Sequence, residues 1–147
     1  MNAGTPWLVA GGVLSLAASL LHLAIIAGGP DWYRFFGAGE QMARMAERGN
    51  WRAAAITVGI AAILAVWAAY AFSGAQVIAQ LPLLRTALVA ITAIYMLRAL
   101  VLLHALVFMP KALTPFLIWS SLIVLVYGIV YAIGTWRAWP ALLPEGA

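Results

Sequence analysis

Four long runs of apolar positions, none containing an acid, dominate the chain. They cover about residues 7–29, 53–72, 86–109 and 116–136. A helix rising ~1.5 Å per residue needs ~20 apolar residues to cross ~30 Å of hydrocarbon, and each run is long enough. Backbone groups in lipid must bond within the segment, so the runs are predicted to be transmembrane helices. They do not alternate polar with apolar as barrel strands do. The predicted fold is all-α, an integral membrane four-helix up-down bundle, with residues 1–147 forming a single transmembrane domain. The first run lacks a basic flank and is too long for a signal-peptide core, so it reads as an anchor.

The ends of the runs carry their own marks. Trp7, Trp32, Tyr33, Trp51, Trp136 and Trp139 flank them, as expected of an interfacial aromatic belt. Pro82 and Pro110 bracket the third run, where a helix starts or stops at little cost. The first connection, residues 30–52, is the sizeable polar segment and holds three of the four acids. Within it, residues 38–48 predict a short amphipathic helix. At ~100° per residue, Ala38, Met42, Met45 and Ala46 share one side; Glu40, Gln41, Arg44, Glu47 and Arg48 share the other. Gly37-Ala38-Gly39 predicts a turn before this helix and Gly49 a stop after it. A helix of this pattern is expected to lie in the membrane interface, apolar side down.

Composition narrows the class. Apolar residues are 66% and charged residues 8%, against ~45–50% and ~25% in soluble domains. Too few charges remain for a water-facing surface, and too few polar residues for disorder. The net charge of +4 comes from eight scattered Lys and Arg, with no basic stripe for nucleic acid. The absence of Cys excludes disulfides, thiolate metal sites and thiol redox chemistry. Arg34, Arg44, Arg48, Arg52 and Lys111 fall in connections one and three, against Arg85 and Arg137 on the opposite side. The positive-inside rule then predicts those connections in the cytoplasm and the termini outside, in a bacterial inner membrane.

No catalytic or ligand-binding signature is present: no phosphate loop, HExxH or nucleophile elbow. Polar residues placed by depth say more. His22 and His104 each lie ~10 Å inside the ends of their runs nearest connections one and three. Thr57, Ser120 and Ser121 enter the second and fourth runs at similar depth. Together they predict one polar layer beneath the long connection. His22 shares a stripe with Gly11, Ser15 and Ala18, a spacing that makes helix–helix contacts in membranes. The plainer reading is that these groups bond their own backbone or a neighbouring helix. Two His at one depth also raise axial haem ligation, but the expectation is no metal and no cofactor. Glu40 would reach the layer from the connection, or simply complement a helix dipole with Arg44 as its i+4 partner.

Arg98 is the sharpest signal. It sits near the middle of the third run, where an Arg costs ~2.5–3.5 kcal/mol on the lenient insertion scale. Ser15, Trp67 and Tyr127 fall near its depth, and none of them is an anion. The expected ligand-binding set is Arg98, His22, His104, Ser120, Thr57, Tyr127 and Glu40. The leading functional expectation is a membrane protein binding a small amphiphilic or anionic lipid-like ligand within the bundle. One rival is a membrane enzyme moving protons on a lipid-soluble substrate through His22 and His104. Another is an accessory subunit, alone or as a homo-oligomer, of a larger membrane complex.

Overall fold

The computed structural model describes residues 3–143. Among them there is no strand. Helix α1 spans Thr5–Gly28, α2 Pro30–Phe35, α3 Glu40–Glu47, α4 Trp51–Gly74, α5 Leu84–Phe108 and α6 Pro115–Ala138. Single 3₁₀ turns follow α5 at Pro110–Ala112 and α6 at Trp139–Leu142. Four helices, α1, α4, α5 and α6, are long and apolar enough to cross a membrane, which fits an integral membrane protein. Their bounds lie within about two residues of the apolar runs. The chain ends themselves, expected together on one side, lie outside the described residues.

The chain divides into two compact units. The first comprises residues 1–15 and 67–147 and draws on all four long helices. It is an antiparallel four-helix bundle held close by glycine. Near one end, a Cβ at Gly4, just before α1, would strike the Gly134 carbonyl and Ala138 of α6. Two turns on, a Cβ at Gly11 would meet the Tyr131 ring at 2.9 Å, and one at Gly12 the Phe72 ring of α4 at 2.7 Å. Gly128 of α6 gives the same room to Met96 of α5. Helices in lipid gain little from burying apolar surface, so close backbone approach and van der Waals contact must hold them. Helix α6 starts on a polar cap, with Thr114 Oγ accepting from the Leu117 N–H at 3.0 Å and Pro115 in the first turn.

The second unit, residues 16–66, holds the rest of α1 and α4 with α2 and α3 between them. Its core is Ile25, Tyr33, Ala43 and Ala53, with Phe36, Met42, Met45 and Ala46 packed against it. Ser19 Oγ ties α1 to α4 by donating to the Ala61 carbonyl at 2.7 Å.

Two features of this unit differ from the sequence reading. Residues 30–35 form a helix of their own, α2, started by Pro30. The buried face of α3 is centred on Ala43, fully enclosed, while Ala38 is exposed and precedes the helix. The expected turns are present. Gly37 and Gly49, at φ 65° and 66°, end α2 and α3 in the same way. In each case the next two N–H groups bond back to carbonyls of the last turn: Gly37 to Arg34 and Ala38 to Tyr33, Gly49 to Ala46 and Asn50 to Met45. The left-handed conformation there suits only glycine without strain.

Candidate functional site

The centre of the first unit is polar and built by four helices. Ser15 of α1, fully buried, lies 2.9 Å from the Tyr95 hydroxyl of α5 and 2.8 Å from the Tyr131 hydroxyl of α6. Tyr131 in turn donates to the Trp67 carbonyl of α4 at 3.2 Å. Proton counting fixes the direction of the whole chain. A carbonyl only accepts, so the single Tyr131 proton goes to Trp67. Ser15 must then donate to Tyr131, and Tyr95 to Ser15. The rings pack as tightly as the hydroxyls. Tyr95 meets Trp67 edge-on at 5.0 Å, Tyr127 at 5.5 Å and Tyr131 at 5.4 Å between centroids. Every hydroxyl of the trio has a partner and each of its three protons is used, so this cluster joins the four helices.

Arg98 lies outside that cluster. Its side chain is exposed on α5, where one guanidinium nitrogen donates to Ser121 Oγ at 3.2 Å and another to Ser120 Oγ at 3.4 Å. Ser120 passes its own proton to the Leu117 carbonyl at 3.3 Å, leaving its oxygen as the acceptor for Arg98. Ser15, expected near Arg98 by depth, is occupied by the two tyrosines instead. Tyr127 contributes its ring to the cluster, and its hydroxyl has no hydrogen bond among the described residues. His104 is exposed one turn before Phe108, with the two rings tilted at 5.0 Å. The first unit contains Arg85, Arg98, Lys111 and Arg137 and, among its described residues, no carboxylate.

The remaining expected site residues belong to the second unit. His22 is half-buried, and its Nδ1 donates to the Ala18 carbonyl at 2.7 Å. Since a carbonyl only accepts, Nδ1 carries a proton. Thr57 donates to the Ala53 carbonyl at 2.9 Å and is 3.1 Å from the Tyr33 hydroxyl, which must therefore be the donor of that pair. Of the expected polar layer, His22, Thr57 and Glu40 belong to one unit and His104, Ser120 and Ser121 to the other.

Glu40 has the Arg44 partner expected at i+4, at 3.1 Å, but its main partner is Arg34. Arg34 grips both oxygens of Glu40, at 3.0 and 3.1 Å, and reaches Glu47 at 2.6 Å and Asp31 at 3.4 Å. One guanidinium thereby collects all three carboxylates of the α1–α4 connection. The hydrogen bonds from Arg34, then Arg44, pull the Glu40 carboxyl down to about 2, and those from Glu40 and Glu47 push Arg34 still higher than usual. The sequence offered one signal for this, three acids within seventeen residues around Arg34, but spacing alone pointed to Arg44. No cluster of three or more potential metal ligands occurs among the described residues. Comparison with protein families, with curated proteins and with solved structures gives no match.

Proposed function

We propose that this protein is a small membrane-embedded binding protein whose ligand is an anionic amphiphile, anchored by Arg98. The observation that carries the reading is the state of that guanidinium. It lies ten residues before the end of α5, ~15 Å along the axis. Among the described residues it is met only by two serine hydroxyls, and it shares its unit with no described carboxylate. A carboxylate or phosphate accepting from the guanidinium would supply the missing anion. Ser120 and Ser121 hold the guanidinium in place, and the exposed His104 lies ~9 Å further along α5. His22, Thr57 and Glu40 already have partners in the second unit and take no part in this proposed site.

The membrane we propose is a bacterial inner membrane, whose proteins are helical where outer-membrane proteins are barrels. The connections bearing Arg34, Arg44, Arg48, Arg52 and Lys111 would face the cytoplasm, with α3 at the interface. The test compares molecules co-extracted with the wild type and with Arg98→Leu, by mass spectrometry after purification in mild detergent. The expected result is a folded variant that has lost an anionic amphiphile carried by the wild type. A folded variant that keeps the same molecules and unfolds at a higher temperature would mean that Arg98 is a tolerated cost and not an anchor.

A further inference from the structure

At the opposite end of the first unit, α5 and α6 line a second feature, open to the outside. A groove of about 640 Å³ runs between Val89 and Ala93 of α5 and Ala132 and Thr135 of α6, flanked by Trp136 and Trp139. Its size is that of a small-molecule site (~300–1,000 Å³). The groove exists because Ala93 and Ala132 leave room that larger residues would fill. Thr135 is 5% exposed, and its buried Oγ has no hydrogen-bond partner among the described residues.

A cation touches one wall of the groove. Arg85, in the first turn of α5, donates to the Trp139 carbonyl at 2.6 Å, and its guanidinium lies 4.5 Å from the centre of the Trp139 ring. Trp139 therefore both walls the groove and pins Arg85 beside it. The Arg85 Nε is buried and has no acceptor. Arg85 also lines a second recess of about 490 Å³ with Gln80, Pro82, Thr86 and Leu142. From Arg85 to Ala93 the helix rises ~12 Å, so the feature runs from a cation at the span's end towards the hydrocarbon.

We propose that this is a lipid site. One acyl chain of an anionic phospholipid lies between Ala93 and Ala132, and its phosphate is held by Arg85. Charge complementarity selects the headgroup. A guanidinium binds phosphate through parallel N–H donors, and in a unit with four cations and no described carboxylate a choline headgroup would add a further positive charge. The site is ~20 Å along α5 from Arg98 and goes beyond the reading given above.

Native mass spectrometry of the detergent-purified protein, titrated with phosphatidylglycerol or phosphatidylcholine, tests it. The wild type should retain one phosphatidylglycerol in preference to phosphatidylcholine. Arg85→Gln should weaken that retention about tenfold, the loss expected for a hydrogen bond to a charged group. Ala93→Phe, which leaves Arg85 intact and fills the groove, should release the lipid as well. Arg137→Gln removes a cation that, unlike Arg85, does not line the second recess, and should retain the lipid. Equal weakening by Arg85→Gln and Arg137→Gln would reduce the effect to general charge and overturn the proposal, as would full retention by Ala93→Phe. Arg98→Leu separates the two readings. Loss of phosphatidylglycerol there but not in Arg85→Gln would place the lipid at Arg98 and leave the groove without a role.

Discussion

Ser15 shows how a single hydroxyl can be indispensable in lipid. It accepts from Tyr95 and donates to Tyr131, and both tyrosines are buried. Ser15→Ala therefore leaves the Tyr95 proton and one Tyr131 lone pair unmatched in a buried site. The expected loss of stability is ~1–3 kcal/mol, read as a lower thermal unfolding midpoint in detergent. Tyr127→Phe, which removes a hydroxyl with no partner among the described residues, should leave the midpoint nearly unchanged. The Ser15 side of this was half visible in the sequence. Its stripe with Gly11 and Ala18 marked a contact face, and Gly11 indeed packs on Tyr131. Which hydroxyls would meet it was not visible, because Tyr95 and Tyr131 are 80 and 116 residues away and depth arithmetic places residues along the axis without saying which way they point. For the same reason depth alone set Ser15 among the neighbours open to Arg98, whose hydroxyl partners are Ser120 and Ser121.

Helices α2 and α3 owe their pairing to charge as much as to packing. Arg34 leaves α2 to grip Glu40 and Glu47 on α3, while Tyr33 and Ala43 are buried in the core below. Glu40 titrates near 2 in the folded protein, below the ~4.3 of a free glutamate. Its contribution is thus complete above ~4.5 and lost as the pH falls towards 2. Proteolysis within residues 30–52 should accelerate across that interval, and Arg34→Gln should give the fast, acid-like rate already at pH 7. Arg44→Gln, which frees one carboxylate contact instead of three, should accelerate it less. The four long helices were legible to within about two residues because lipid imposes a length and an apolar composition that nothing else in the chain shares. Helix α2 was not, because six residues are too few to show a period; Gly29-Pro30-Asp31 was its only trace. The face of α3 was misjudged at Ala38 and Ala43 because eight residues make an apolar stripe so wide that alanine can sit on either edge.

Across the whole chain, charge is segregated. Every described carboxylate lies in the second unit, committed to Arg34 or Arg44, and the charged residues described in the first unit are all cations. Arg85 and Arg98 make no ion pair within the described chain, which is why both are read as places where an outside anion binds. The hydroxyls at the centre of the first unit have the opposite character, and their direction has a consequence for the membrane that houses them. A row of hydroxyls inside a bilayer is a potential leak for protons, since each oxygen can hand one on while taking another. Here the row runs from Tyr95 through Ser15 to Tyr131 and terminates on the Trp67 carbonyl, an oxygen that receives but has nothing to pass forward. Hopping stops there. Vesicles loaded with a pH-sensitive dye and carrying this protein should keep an imposed pH gradient as long as vesicles without it; faster decay, slowed by Tyr131→Phe, would show that the row conducts. The bond that locks four helices together is in this sense also the insulation of the bilayer around it.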